Sequence, residues 1–310
     1  MKKVFVDGSA GTTGLRILER LASRSDLELV VLPEAVRKNP DARRAALNGA
    51  DVAFLCLPDA AAADAVQMVE NPETVIIDTS TAHRVSPGWT YGFPELAGQR
   101  ARLAAAKRIA NPGCHASGFI ALVAPLVRAG LVSSDERLCA FSLTGYSGGG
   151  KKMMAEYADA PDGLLLGGRQ YALGQAHKHL PEMTRLCGLD AAPCFSPVVV
   201  PHVSGMEVSV QVFGKSLAAL RDCYREAYRD NGVVRFVEDP AAPEGGFLSS
   251  AALSGRDDME VSVCGNDARA LLVSRFDNLG KGASGAAVQN MNLVLGCPET
   301  EGLRCGGARA

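Results

Sequence analysis

The first third of the chain repeats one pattern, in which a short apolar run is followed by a turn and an amphipathic segment. The apolar runs cover residues 3–7, 27–32, 52–57 and 75–78. The third and fourth runs are almost wholly apolar, as expected of strands that are covered on both faces. Segments 13–22 and 59–70 lie between the runs and have helical patterns. This alternation predicts an α/β fold with a doubly wound, Rossmann-type parallel sheet.

Beyond about residue 130 the pattern changes to longer strands with a period of two. Residues 206–212 alternate apolar and polar side chains, which is typical of an antiparallel strand with one face toward water. Helices are expected at 217–228 and 286–295, and strands near 259–264 and 269–276. The chain is therefore predicted to add an α+β domain with a mostly antiparallel sheet to the Rossmann-type domain.

Composition supports a globular protein with one large domain or two domains. The chain has 310 residues, of which 47% are hydrophobic and 21% charged, so it can bury a large core. A net charge of −2 and only 5% aromatic residues argue against nucleic acid as a partner. The apolar stretches at 4–6 and 115–127 are too short for a signal-peptide core and for a membrane span of about 20 residues, respectively. Nine cysteines without a CxxC pair favour a reducing compartment, so a cytoplasmic protein with no membrane partner is expected.

A glycine-rich turn follows the first predicted strand directly. Its sequence is Gly8-Ser9-Ala10-Gly11-Thr12-Thr13-Gly14, with a helix predicted behind it. Glycines in this context allow a dinucleotide pyrophosphate to approach a helix N-terminus, although the spacing is GxxGxxG and not GxGxxG. The alternative is a tight turn without a ligand.

The end of the second predicted strand leaves the type of dinucleotide open. Glu34 there would favour a ribose 2′-hydroxyl, whereas Arg37 and Lys38 could hold a 2′-phosphate. Both NAD and NADP are compatible with these residues.

Cys114 stands out among the nine cysteines as a candidate nucleophile. It follows Asn111-Pro112-Gly113 and precedes an apolar helical run, so it should lie at a helix N-terminus. The unpaired N–H groups and the dipole of a helix favour the thiolate at that position.

A thiolate nucleophile needs an acid/base, and the segment His177-Lys178-His179-Leu180-Pro181-Glu182 offers two histidines. In an extended segment His177 and His179 point the same way. A metal site with Glu182 is the alternative, but no third ligand is evident and we expect no metal. His115 is expected to point along a different face from its neighbour Cys114.

The chain resembles the short type of the N-acetyl-gamma-glutamyl-phosphate reductases, which are related in plan to aspartate-semialdehyde dehydrogenases. The resemblance rests on motifs that follow one another along nearly the whole chain, namely residues 8–14, 91–96, 111–114, 145–151, 177–182 and 278–290. It implies NADPH-dependent reduction of an acyl phosphate to an aldehyde through a Cys114 thioester. One of the two histidines would be the acid/base, and His179 is favoured because Glu182, three residues on, could orient it.

The same resemblance extends to domains, ligands and assembly. It implies a discontinuous dinucleotide-binding domain, 1–114 with 284–310, and a catalytic and oligomerisation domain, 115–283, in a homo-oligomer, a dimer or tetramer. Ser147, Gly148 and Asn290 lie in the shared motifs and are expected to contact NADP. Residues 80–84 depart from the family pattern before Arg84, which leaves the role of His83 open.

The leaving phosphate needs cations, and the chain offers Arg84, Lys151 and Lys152 as candidates. Three other functions stay open from the residues alone. The substrate could be another acyl phosphate, such as aspartyl phosphate. The chain could also be a Cys/His hydrolase or transferase that works without hydride, or a nucleotide sensor without catalysis, which would not need Cys114.

Overall fold

The computed structural model describes residues 1–158 and 163–306, which form two compact units. Unit one comprises Met1–Gly113 and Ala283–Leu303, and the described part of unit two comprises residues 114–158, 163–282 and 304–306. The chain thus passes into unit two at Cys114 and returns at residue 283. The predicted boundaries, 114/115 and 283/284, each lie one residue further along the chain.

The C-terminal segment departs from the predicted division, which placed 284–310 in one domain. Residues 307–310 lie outside the described part, but 304–306 belong to unit two. The backbone N–H of Arg304 donates to Asp257 at 2.9 Å, and the guanidinium of Arg235 donates to the carbonyl of Gly306 at 3.1 Å. These bonds to unit two account for the difference.

Unit one is built on a parallel sheet with the order β2-β1-β3-β4-β6-β5. Its strands are β1 (Lys2–Asp7), β2 (Leu27–Val30), β3 (Val52–Leu55), β4 (Val75–Asp78), β5 (Thr90–Tyr91) and β6 (Arg108–Ala110). Its helices are α1 (Thr12–Leu21), α2 (Pro40–Gly49), α3 (Asp59–Gln67), α4 (Gln99–Ala104) and α9 (Gly285–Leu295). The prediction of a doubly wound parallel sheet is confirmed.

Apolar residues cover both faces of this sheet, as the strand sequences predict. In β1, Val4 and Val6 pack in one core with Ile17 of α1 and Met291 of α9, while Phe5 packs in the other core. β3 and β4 are buried along their whole length. The chain leaves β1 toward β2 on one side and later returns to β3 on the other, so β1 and β3 flank a topological switch point, where α/β sheets bind ligands.

Unit two contains a mixed sheet with the order β11-β12-β13-β10-β7-β9-β8 in its described part. Its strands are β7 (Cys139–Gly145), β8 (Arg169–Gln170), β9 (Cys194–Val200), β10 (Met206–Phe213), β11 (Val234–Phe236), β12 (Met259–Asn266) and β13 (Arg269–Phe276). Its helices are α5 (Cys114–Arg128), α6 (Gly150–Ala158), α7 (Leu180–Cys187) and α8 (Leu217–Ala227). Four of the six strand pairings are antiparallel, which agrees with the predicted α+β domain.

Helix α5 lies directly on this sheet because Gly118 has no side chain. A Cβ atom there would lie 2.5 Å from Val208 of β10 and 2.7 Å from Ser274 of β13. This close approach fixes the first turn of α5, and hence Cys114, relative to the sheet. Among the described residues, no helix is long and apolar enough to span a membrane.

Candidate active site

Cys114 is the first residue of α5 and is half-buried. The first turn of the helix has no acidic residue, so the helix dipole and N–H groups act on the sulfur without an opposing charge in that turn. Gly282 approaches the cysteine closely, since a Cβ at this glycine would lie 2.9 Å from the Cβ of Cys114. The helix-terminal position that the sequence predicts for Cys114 is the one that the structure shows.

Three histidine rings of unit two form one cluster. The ring centroids of His177 and His179 are 4.6 Å apart, and that of His115 lies 5.4 Å from the former and 5.6 Å from the latter. Phe195 closes the cluster with edge contacts of 5.2 Å to His115 and His177. The prediction anticipates the pair but not His115, which the first turn of α5 places against both rings.

His115 is held by two hydrogen bonds inside the protein. Its Nδ1 lies 2.8 Å from the hydroxyl of Ser142 on β7, and its Nε2 lies 2.7 Å from the hydroxyl of Tyr171. Burial, assisted by His177, lowers the pKa of His115 to about 3, so this ring is neutral at physiological pH. Burial and the nearby Cys114 raise the pKa of the Tyr171 hydroxyl, which stays protonated. No motif in the sequence points to Ser142 or Tyr171.

The segment that carries His177 and His179 is a turn, and not the extended segment in which both side chains would point the same way. The backbone N–H of His179 donates to Nδ1 of His177 at 3.1 Å, which bends the chain between them. His179 is buried and caps α7, with its carbonyl accepting from Met183. Glu182 lies buried in the first turn of the same helix. The bond at Nδ1 requires that the neutral ring of His177 carries its hydrogen on Nε2.

In unit one, the glycine-rich loop lies at the switch point between β1 and β3. Gly8 has φ +81°, and a Cβ there would lie 2.2 Å from the Cys56 carbonyl just after β3. The N–H of Gly11 donates to the Gly8 carbonyl at 2.9 Å, and a Cβ on Gly14 would lie 2.6 Å from the same oxygen. Glycine is thus required at the turn itself and where α1 meets the loop. Ser9, Thr12 and Thr13 lie on this loop and the first turn of α1.

A cleft of 330 Å³ opens beside this loop. Residues 8–10 line it together with Leu32, Arg37 and Lys38, so the two cations share a wall with the glycine loop. Arg37 forms an ion pair with Glu34 at 2.8 Å, so the acidic residue and one of the basic residues that the sequence offers for the ribose contact each other at the surface. The buried Asp7 at the end of β1 is neutralised by Arg43 at 2.8 Å, so it does not repel an anion in the cleft.

The remaining predicted cofactor residues are distributed over the two units. In unit one, Asn290 is fully buried and donates through Nδ2 to the Gly92 carbonyl at 3.0 Å and to Asn111 at 3.2 Å. Its Oδ1 atom has no hydrogen-bond partner within residues 1–158 and 163–306. In unit two, Ser147 accepts from Asn278 at 3.0 Å and Gly148 follows it in a 3₁₀ turn.

The predicted phosphate-binding cations have different settings. Arg84 is half-buried in unit one and donates to the carbonyls of Asn111 at 3.1 Å and Thr79 at 3.3 Å. Lys151 and Lys152 are exposed in the first turn of α6 in unit two.

His83, whose role the sequence leaves open, is oriented by a buried carboxylate. Its Nδ1 lies 2.6 Å from Asp78 at the end of β4, and its ring stacks on Trp89 with centroids 4.0 Å apart. Within the described part of the chain, no group of three or more His, Cys, Asp or Glu residues is arranged to hold a metal ion.

Two family models together match most of the chain. A model described as "Semialdehyde dehydrogenase, NAD binding domain" matches residues 3–105, and "Semialdehyde dehydrogenase, dimerisation domain" matches residues 114–278. A protein named N-acetyl-gamma-glutamyl-phosphate reductase from Brucella ovis is 46% identical over 306 residues, covering 95% of this chain and 99% of that protein. The chain belongs to the N-acetyl-gamma-glutamyl-phosphate reductase family. The relative from Brucella anthropi with this name is also 46% identical, over 95% of this chain and 98% of its own.

Solved structures confirm the fold of this family member. Aspartate semialdehyde dehydrogenase II from Vibrio cholerae, complexed with ASA, has a TM-score of 0.74 at 18% identity, covering 95% of this chain and 98% of its own. Aspartate semialdehyde dehydrogenase from Candida albicans, solved with NADP, has a TM-score of 0.67 at 15% identity, with coverages of 95% and 99%. At such identities the likeness shows the shared fold.

Proposed function

We propose that this chain reduces N-acetyl-gamma-glutamyl phosphate to N-acetylglutamate semialdehyde and phosphate with NADPH, as a step of arginine biosynthesis. The observation that carries the proposal is the position of Cys114 at the start of α5 in the unit that also holds the cluster of His115, His177 and His179. The names of the relatives that are 46% identical supply the substrate.

Cys114 acts as the nucleophile in this proposal. Its thiolate attacks the acyl carbon, the bond from that carbon to the phosphate oxygen breaks, and phosphate leaves with the electron pair, which gives a thioester. After reduction of the thioester carbonyl, the oxyanion collapses, the carbon–sulfur bond breaks, and the aldehyde leaves Cys114 as thiolate. The helix N–H groups and dipole stabilise the negative sulfur at both stages.

We assign different roles to His177 and His179, because their surroundings differ. His177 already accepts at Nδ1, so its neutral ring presents Nε2–H and is suited to donate to the oxyanion. His179 is assigned to take the proton from Cys114 and to give it to the departing phosphate, because it is buried and lies at the head of α7 near Glu182 in sequence. His115 holds the cluster as a neutral ring and takes no proton.

The residues of unit one fit a dinucleotide carrying a 2′-phosphate. Residues 8–14 form a loop that side chains would fill, and Arg37 and Lys38 share its cleft. The buried Oδ1 of Asn290 offers an acceptor for the carboxamide of a nicotinamide. Ser147 and Gly148, which lie in a motif shared with the family, stay predicted NADP contacts. When bound, NADPH supplies the hydride that reduces the thioester.

Arg84, Lys151 and Lys152 stay separate candidates for a cation that binds the phosphate of the substrate. Two carbonyl groups hold the guanidinium of Arg84 in place, which reduces the entropy lost when it binds an anion. The two lysines are exposed and reach anions as flexible point charges.

Assembly and location follow from different observations. The match of residues 114–278 to a dimerisation domain supports a homo-oligomer, a dimer or tetramer formed through unit two. All nine cysteines are free thiols, which supports a reducing cytoplasm. Light scattering of the purified protein tests the assembly, and a single-chain mass would contradict it.

The deciding experiment is the reverse reaction, with N-acetylglutamate semialdehyde, phosphate and NADP, followed by the absorbance of NADPH. We expect turnover that depends on phosphate, and none with Cys114→Ser, which should still bind NADP because the loop of residues 8–14 is intact. Cys264→Ser, a half-buried cysteine on β12, is the matched control and should keep its activity. Faster turnover with aspartate semialdehyde would overturn the substrate assignment, and turnover without phosphate would overturn the thioester route.

A further inference from the structure

Two exposed cysteines lie next to each other in the sheet of unit two. Cys139 begins β7 and Cys194 begins β9, and the parallel register of these strands pairs the two residues directly. Both are exposed, whereas the other seven cysteines, all within the described residues, are buried or half-buried. The pair plays no part in the reaction proposed above.

The backbone positions of this pair suit a disulfide bond. Paired residues on neighbouring strands have side chains on the same face, and here both cysteines are exposed while the residues after them, Ala140 and Phe195, are buried. Neighbouring strands lie about 4.8 Å apart. Disulfide-bonded residues have Cα–Cα distances of about 4.4–6.8 Å, so closure needs no large movement of the strands.

The two thiols already interact in the reduced protein. Burial, the charge of Cys194 and a hydrogen bond to Cys194 together raise the pKa of Cys139. The sulfur atoms of the two cysteines are therefore close enough to interact before any bond forms between them.

We propose that Cys139 and Cys194 form a dithiol site that closes to an intramolecular disulfide by exchange with a low-molecular-weight disulfide of the glutathione class. The thiolate of one of the two cysteines attacks the small disulfide, the S–S bond breaks, and one small thiol leaves and takes up a proton. The sulfur of the other cysteine then attacks the sulfur of the first, releases its own proton, and expels the second small thiol. The protein loses two hydrogens and the small disulfide gains them.

The closed form would link two strands that support the histidine cluster. Ser142, three residues after Cys139 on β7, bonds to His115, and Phe195, next to Cys194, contacts the rings of His115 and His177. Since the link closes a loop between residues 139 and 194, it should raise the Tm of the protein.

Peptide mapping by mass spectrometry tests the proposal on the folded full-length protein. The protein is incubated with oxidised glutathione, its remaining thiols are alkylated in acid, and it is then digested. We expect a linked peptide pair containing Cys139 and Cys194, two hydrogens lighter than the separate peptides. In Cys139→Ser and in Cys194→Ser no intramolecular link can form, and the small thiol should stay on the remaining cysteine as a stable mixed disulfide.

A matched control and the opposing outcomes keep the result unambiguous. Cys264→Ser, on the same sheet, should form the link at an unchanged rate. Separate small thiols on both cysteines without a link, a link between two chains on a non-reducing gel, or no reaction of either cysteine would each overturn the proposal. The readout is mass and not turnover, so it does not depend on the proposed enzymatic activity.

Discussion

A buried neutral histidine should make unit two sensitive to acid. The pKa of His115 falls from its ordinary value of 6.5 to about 3 in the fold, chiefly because of burial. Between these two pH values the unfolded chain binds a proton at this histidine and the folded chain does not. The contribution of His115 to the free energy of unfolding is therefore fully present above its ordinary pKa, and it is lost as the pH falls toward its pKa in the folded protein. The loss is about 1.4 kcal/mol per pH unit, or about 3 kcal/mol between pH 6.5 and pH 4.

His115→Gln isolates this effect, because glutamine cannot titrate but can still donate and accept between Ser142 and Tyr171. We expect the wild-type protein to have the larger free energy of unfolding at neutral pH. The difference in this free energy between wild type and variant should become about 3 kcal/mol smaller at about pH 4. Urea unfolding at both pH values, followed by far-UV circular dichroism, measures the difference, in which the titration of all other groups cancels.

The single tryptophan provides an internal control for this measurement. Trp89 belongs to unit one, so its fluorescence follows the unit that does not contain His115. If the two units unfold separately, the circular dichroism transition of unit two should shift with the variant while the fluorescence transition stays in place. A stability difference between wild type and His115→Gln that is the same at both pH values would refute the assigned burial effect.

Three further predictions concern the cofactor and His179, the proposed acid/base. Arg37→Ala combined with Lys38→Ala should raise the KM for NADP roughly 10- to 100-fold and leave the KM for NAD nearly unchanged. An equal rise in both KM values would show that these two residues do not bind the 2′-phosphate. Gly14→Ala should weaken NADP binding in fluorescence titration, because its Cβ would lie 2.6 Å from a loop carbonyl, while Gly49→Ala, with open space around it, should bind normally. His179→Asn should lower kcat roughly 10²- to 10⁴-fold with unchanged NADP affinity, and near-normal turnover would remove it from the mechanism.

The elements that the sequence predicts are those whose pattern of apolar residues matches the residues that the fold buries. The four apolar runs of the first third became β1–β4 because their apolar residues pack into the cores on the two faces of the sheet. Helix α2 and the short strands β5 and β6 were not predicted. α2 buries only Leu47, and β5 and β6 have two and three residues, so their sequences show no period that is long enough to detect.

The candidate site shows the same division between local and tertiary signals. Cys114 was predictable because a Pro-Gly turn before an apolar run marks a helix start in the sequence itself. The geometry of His177 and His179 was not, because the bond from the backbone of one to the ring of the other overrides the extended pattern. Ser142 and Tyr171 carry no local signal, because their importance arises only from their hydrogen bonds to the ring of His115 on α5.

Gly282 belongs to a motif that can be recognised in the sequence, but the reason for a glycine at this position is seen only in the structure. Residues 280–282 belong to the C-terminal motif that carries the family resemblance, yet nothing local requires a second glycine so close to the first. In the structure this glycine is the last residue before the chain returns to unit one, and Cys114 is the first residue after it leaves. A Cβ at position 282 would lie 2.9 Å from the Cβ of Cys114, closer than two side chains can pack. Position 282 therefore has to lack a side chain because Cys114, the proposed nucleophile, lies directly against it.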